Sequence, residues 1–299
     1  MALKRFRSLE ARDNWVGYAL LTPAILIFIM ITGFPVLFSI TMSFFRWRPT
    51  ENTNPFVGFN NYLRVFANPT FLLSLRNTFL YAFGGAFFKV LLGLGLALLL
   101  NQKFKGRGIA RTLLMLPWIV PITASLTSWN WMFDGMYGIF NIILMRLGII
   151  TESINFLGQK GVALMCVMTV GIWLGYPQIM VMILAGLQAI TVEQYEAAKL
   201  EGATPTQVFF RITLPSLSGV MKTAIILSVI WTFNAFNVIW LLTRGGPSNS
   251  THVMNTLAYE LAFVNMKYDQ GAAMSVSILI MLAVFLFIYT KMQKENEAQ

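Results

Sequence analysis

The sequence predicts an all-α polytopic membrane protein with six transmembrane helices, and three observations predict it. Apolar residue types make up 57% of the 299 residues and charged types 11%, against about 25% charged in soluble globular domains. The mean hydropathy is +0.65. Six runs reach the roughly 20 mostly apolar residues that a helix needs to cross the hydrocarbon core. These figures exclude a soluble enzyme, a disordered chain and a fibrous repeat. No run alternates as the strands of a β-barrel do.

The first span is Asn14 to Phe45, 32 residues without a charge. Lys4, Arg5 and Arg7 precede it, but its apolar run far exceeds a signal-peptide core, so it is expected to stay as a membrane anchor. The second is Asn77 to Leu100, interrupted only by Lys89. The third is Thr112 to Phe133, the fourth Gly161 to Val192, the fifth Thr223 to Thr243 and the sixth Gly271 to Thr290. The tails are then residues 1–13 and 291–299, around a membrane domain over 14–290. The segments 46–76 and 134–160 are too long for simple turns and are expected to hold interfacial helices, whereas Asn101–Gly108 is a tight turn.

Orientation follows from the basic residues. With the N-terminus inside, the cytoplasmic segments hold thirteen Lys and Arg: four before the first span, four in 101–111, three in 193–222 and two in the tail. The outer loops hold eight, and Lys89 is the remaining one. Both termini are therefore expected in the cytoplasm, although Arg46, Arg48, Arg64 and Arg76 in the first outer loop weigh the other way. The net charge of +10 has this topological origin, and no nucleic-acid partner is expected. Cys166 is the one cysteine and His252 the one histidine, which excludes an intramolecular disulfide and bis-histidine haem ligation and leaves no expected metal site.

The cytoplasmic loop from 191 to 219 carries the strongest local signals. Thr191 with Gln194 makes a capping box, so a helix is expected from Val192. Glu193 and Glu196 lie in its first turns, where the helix dipole favours acids. Ala197 and Ala198 leave a smooth surface, and Gly202 suits the left-handed residue that ends a helix. A second start follows, with Thr204 as cap, Pro205 in the first turn and Gln207 closing another capping box. Val208, Phe209, Ile212 and Leu214 form an apolar face, and Pro215 is expected to break the helix. An amphipathic helix lying on lipid is usually Lys/Arg-rich on its polar face. The first helix here has three Glu and one Lys, so a protein partner fits better.

Glu196-Ala197-Ala198-x3-Gly202-x9-Ile212-x-Leu214-Pro215 resembles the EAA signature of ABC-importer permeases at all seven fixed positions. Leu184-Ala-Gly-Leu-Gln-Ala-Ile190, Phe233-Asn-x-Phe236, Leu116-Pro117-Trp118 and Leu242-Thr-x-Gly-Gly-Pro247 with Thr251 resemble the carbohydrate-uptake branch. Within it, the likeness is to the first of the two permeases in maltose and glycerol-3-phosphate importers. The resemblance covers about residues 14–290; Glu201 departs from the usual Asp but keeps the charge. It implies a type I transmembrane domain in the cytoplasmic membrane of a bacterium or archaeon. Its partners would be a second, related permease, two ATPase subunits and a periplasmic or extracellular solute-binding protein, with membrane lipid around it. In that family the loop is a coupling helix docked in a cleft of the ATPase.

No Gly-Lys dipeptide occurs, so the phosphate loop of an ATPase is absent. ATP and Mg²⁺ are expected in the partner subunits and no cofactor on this chain, which is no catalyst by itself. A stand-alone secondary transporter or channel is the alternative; it would need coupling-ion carboxylates within the spans, and none is found.

A sugar site needs amides and hydroxyls for hydrogen bonds and aromatic faces for the ring. Asn234 aligns with the family motif. Asn237, three residues on, and Trp231, three residues before, would share its face of the fifth span. Substrate contact and interhelical hydrogen bonding both stand open for these amides. Trp173, Tyr176 and Gln178 flank Pro177, where a kink would open toward a cavity. Gly171-x3-Gly175 beside them reads as a close-packing face. Lys89 sits near the middle of a span, at about 2.5–3.5 kcal/mol on insertion scales. It either faces a cavity and an anionic solute, pairs with a neighbouring subunit, or snorkels. Glu260 and Asp269 in the last outer loop read as exposed acids, solvated or meeting a binding protein, and His252 and Cys166 as structural.

Overall fold

The computed structural model describes residue 15, residues 17–47 and residues 53–297, with side chains through residue 291. The expected tail 1–13, the start of the first span at Asn14, and Arg48 lie outside the described residues. In chain order the helices are α1 (Gly17–Ser43), α2 (Asn60–Phe66), α3 (Pro69–Asn101), α4 (Arg107–Ile119), α5 (Ile122–Met132), α6 (Ile139–Arg146), α7 (Val162–Ala189), α8 (Val192–Leu200), α9 (Pro205–Ser216), α10 (Ser218–Phe233), α11 (Asn237–Thr243), α12 (Met254–Tyr259) and α13 (Tyr268–Glu297). Among the described residues the only β pairing is an isolated bridge between Phe45 and Phe56. α1, α3, α7 and α13 are long and apolar enough to cross a membrane. The pairs α4–α5 and α9–α10, bent by 93° and 67°, raise the number to six if each is one span.

The chain forms two compact units, one from residues 1–67 with 258–299 and one from residues 68–257. In the first, α13 packs on α1 and α2. Ser43 at the end of α1 is fully buried, and its hydroxyl meets the Tyr62 hydroxyl at 2.7 Å. The Asn61 amide donates to the Ser43 and Phe45 carbonyls at 2.8 and 2.9 Å. These bonds satisfy carbonyls that the end of α1 leaves open. Asp269, expected as an exposed loop acid, is fully buried and accepts the Gln270 N–H at 2.8 Å.

In the second unit α3 and α7 form the central pair, and α10 packs on both. Glycines set their spacing, as small residues do where lipid supplies no hydrophobic driving force. A Cβ on Gly93 would lie 2.9 Å from Ile179, one on Gly175 would lie 2.7 Å from the Lys89 stem, and one on Gly171 would collide with the Tyr81 hydroxyl. The close-packing reading of Gly171 and Gly175 therefore holds. One buried cluster gathers Leu100, Ile179, Met180, Ile183 and Leu217. Another gathers Tyr81, Phe133, Val167, Val170 and Ile239.

Several span boundaries differ from expectation. α3 begins at Pro69, eight residues before Asn77, because Asn68 caps it by accepting the Thr70 N–H at 2.8 Å. Arg76 ends the apolar run without ending the helix. The third span is not straight: Pro121 holds Val120 extended (φ −67°, ψ 135°) and α5 leaves at a right angle. The fifth span is not one helix, since α10 ends at Phe233 and α11 starts at Asn237. The Asn255 amide donates to the Phe233 carbonyl at 3.0 Å, filling an acceptor freed by that break. α7 by contrast runs through Pro177 without interruption. The long loops do carry helices, α2 and α6. Residues 291–297, expected as tail, continue α13.

Candidate functional site

The loop at 191–216 folds as two helices around a glycine. Thr191 holds the extended N-cap conformation (φ −69°, ψ 144°), but its side chain makes no capping bond, so the first expected capping box does not form. At the other end Gly202 is left-handed at φ 77°. Its N–H donates to the Lys199 carbonyl at 3.1 Å and the Ala203 N–H to the Ala198 carbonyl at 2.9 Å, which is the Schellman pattern. A Cβ on Gly202 would touch nothing within 4 Å. The glycine is therefore required by backbone conformation and not by space.

The second capping box forms in full. The Thr204 N–H donates to Gln207 Oε1 at 2.8 Å and the Gln207 N–H to Thr204 Oγ1 at 3.4 Å, with Pro205 in the first turn. The helix then passes Leu214 and Pro215 and breaks at Leu217, two residues later than expected. Proline lacks an N–H and crowds the carbonyl four residues back. The π-helical turn Phe209–Thr213 just before it gives the wider winding that accommodates the ring. Val208, Phe209, Ile212 and Leu214 are half-buried, as their periodicity implies. The Tyr195 hydroxyl lies 3.3 Å from that of buried Thr213 and ties α8 to α9. Neither residue stands out in the sequence.

What α8 presents outward is acidic and apolar together. Glu193, Glu196, Ala197, Lys199 and Glu201 are exposed, while Ala198 is buried against the loop. Leu200 is 90% exposed and Val192 65%. Val192, Glu196 and Leu200 recur every four residues and so share one face of α8, an acid between two bare apolar chains that a protein cleft can cover.

The residues singled out as solute contacts divide. Trp231, Asn234 and Asn237 are exposed. Asn234 and Asn237 do not share a helical face: Asn234 caps α10 at φ −83°, ψ 7°, and Asn237 opens α11 beyond the break. The Asn234 amide donates back to the Ile230 carbonyl at 3.0 Å. Tyr176 is buried, and its hydroxyl donates to the Leu114 carbonyl at 2.9 Å, joining α7 to α4. Trp173 is half-buried with its ring edge-on to Trp129 at 5.5 Å; Gln178 is half-buried. Lys89 is 8% exposed. Its ammonium donates to Thr232 Oγ1 on α10 at 2.7 Å, and the Thr232 hydroxyl donates to the Ser228 carbonyl at 2.6 Å. The geometry gives Lys89 a partner within its own chain, which none of the three readings open for it named. Thr232 carried no signal of its own in an apolar run.

His252 and Cys166 are buried, as structural roles require. The His252 ring meets the Thr256 hydroxyl at 3.1 Å and stacks over Gly245, whose φ is 86°.

The family described as "Binding-protein-dependent transport system inner membrane component" matches residues 89–294. The trehalose/maltose transport system permease protein MalF of Thermococcus litoralis is 34% identical, over 95% of this chain and 95% of that protein. The sulfoquinovosyl glycerol transport system permease protein SmoG of Agrobacterium fabrum is 32% identical, over 94% and 92%. Among solved structures, a bacterial ABC transporter involved in the import of the acidic polysaccharide alginate superposes with a TM-score of 0.84 at 23% identity, over 96% of this chain and 97% of its own. The inward-facing MetNI methionine ABC transporter gives 0.54 at 18% identity, over 77% and 98%. These likenesses establish the type I importer fold that the sequence predicts.

Proposed function

The chain belongs to the family of binding-protein-dependent transport system inner membrane components, and from that premise we propose that it forms half of the translocation pathway of an ATP-driven importer for a sugar, polyol or sugar-like solute. The observation that carries the mechanism is the preformed, exposed α8, closed by Gly202 and backed by α9. Partner ATPases take hold of α8 through Glu196, Ala197 and the uncovered Leu200. Ala198, Gly202, Ile212, Leu214 and Pro215 keep the loop rigid, so that closure of the ATPases moves the spans between inward- and outward-facing states. ATP and Mg²⁺ belong to those partners. A second, related permease completes the pathway, and a solute-binding protein delivers cargo to the face opposite α8. In this reading both termini lie in the cytoplasm, as the distribution of Lys and Arg implies.

The names of two relatives, one a trehalose/maltose permease and one a sulfoquinovosyl glycerol permease, support a saccharide cargo. Asn234 and Trp231, exposed where α10 ends, are its first contacts, with Asn237 across the break. Trp173 and Gln178, half-buried, take second place, while Tyr176 and Lys89 act as packing ties.

The test is affinity purification of the tagged chain from native membranes in mild detergent, with mass spectrometry of what accompanies it. An ATPase and a second six-span protein should co-purify, and the ATPase should be lost with Glu196→Lys and Gly202→Pro. Recovery of the wild-type chain alone would refute the coupling role of α8.

A further inference from the structure

A cavity of about 480 Å³ lies where α3 and α7 meet the 248–250 segment, inside the second unit. Its polar side is basic. Arg76 and Lys160 line it, no acidic side chain does, and neither cation has a partner among the described residues. Two further lining groups are unsatisfied: the hydroxyls of Tyr81 and Ser250 are buried without a hydrogen-bond partner. Tyr81 itself is 2% exposed. Such orphan donors are costly unless something accepts from them. The N-terminus of α7 opens here too, at Gly161, with no side-chain cap. The Ala163 N–H there donates to the Gln159 carbonyl at 3.0 Å, while the dipole of α7 still favours an anion at this end.

The other wall is apolar, made by Leu80, Leu164, Met165 and Met168. Leu80 is 45% exposed and Met165 64%, so this wall opens sideways off the helix pair. α7 has 28 residues, which puts its two ends about 42 Å apart at 1.5 Å per residue. The cavity is at one end and α8 follows the other, so the cavity lies at the membrane interface opposite the coupling loop.

We propose that this cavity binds the phosphate of an anionic phospholipid, held by Arg76, Lys160, Tyr81 and Ser250, with an acyl chain along Leu80 and Met165. A free acidic solute would use the basic wall and leave the apolar one idle; a lipid uses both. The inference is independent of the importer's cargo and needs only that the chain lies in a bilayer.

Native mass spectrometry of the delipidated full-length chain tests it, with added phosphatidylglycerol, phosphatidylcholine of the same acyl chains, or inorganic phosphate. The wild type should hold phosphatidylglycerol in preference to phosphatidylcholine. Arg76→Gln with Lys160→Gln should weaken that retention about tenfold or more, at about 1 kcal/mol per basic residue near an anionic surface. Arg76→Lys with Lys160→Arg should restore it. Tyr81→Phe removes one unpartnered hydroxyl and keeps the ring on Gly171; it should reduce retention a few-fold with the melting temperature of the delipidated chain unchanged or raised, and so reads the site even if the double variant misfolds. Equal retention of the two lipids, or no change in any variant, overturns the proposal. Displacement of the lipid by inorganic phosphate at equal concentration also overturns it, in favour of a free-anion site.

Discussion

Glu196 on α8 and Lys89 on α3 are both charges in a chain that has few, and their surroundings are opposite. Glu196 is exposed, on a helix whose next turn carries a bare Leu200. Lys89 is buried against Thr232, beside a glycine that makes room for its stem. Water solvates the first at no cost to the fold, which leaves it available to a partner. The second can stay only because a hydroxyl accepts from it, and that hydroxyl is itself anchored to the Ser228 carbonyl. Of these two charges, exposure leaves Glu196 open to a partner, and burial against Thr232 holds Lys89 to the fold.

The largest expected effect tests the buried half of this contrast. Thr232→Val keeps the shape of α10 but leaves the ammonium without its acceptor, at about 3 kcal/mol. Lys89→Met removes the charge and fills the space with a flexible apolar chain, and should cost about 1 kcal/mol. Thermal unfolding of the detergent-solubilised protein should rank Thr232→Val well below Lys89→Met, with the double variant close to Lys89→Met alone. Should Lys89→Met abolish solute uptake while leaving the melting temperature unchanged, the lysine faces cargo and the contrast fails.

The next effect sharpens the exposed half. Gly202→Ala meets no steric obstacle but must hold φ near 77°, at about 1–2 kcal/mol. The strain should appear as fraying of the end of α8, read as faster amide exchange at Ala203 and loss of the co-purifying ATPase. Glu196→Lys should lose the ATPase with no change in exchange. If both variants frayed the loop equally, Glu196 would be structural too.

The loop was legible in the sequence because its determinants are local. Gly202, Pro205 and the Thr204–Gln207 pair act within a few residues of where they stand. The spans were legible as apolar runs, and the turn at Pro121 has its cause at Pro121. The break at 234–236 was not legible: no proline or glycine marks it, and the amide that satisfies the open Phe233 carbonyl comes from Asn255. The Lys89–Thr232 bond joins residues 143 apart in sequence. Asp269 looked like a loop acid because its burial depends on packing, which no local pattern records. The solute residues were the hardest to place because their proposed shared face assumed a helix that the fold interrupts.

The smallest effect separates the two helix starts. Thr204 and Thr191 both precede a helix, and both have a glutamine three residues on, yet only Thr204 accepts a backbone N–H. Thr204→Ala should therefore cost about 1 kcal/mol, and Thr191→Ala only a few tenths. Since α8 and α9 are joined by Tyr195 and Thr213, the loss at Thr204 should loosen both, seen as raised amide exchange in α8 as well as in α9. Thr191→Ala should leave both protected. An equal response to the two substitutions would mean that Thr191 closes its capping box in solution, and that α8 is held by its own N-terminus as firmly as α9 is.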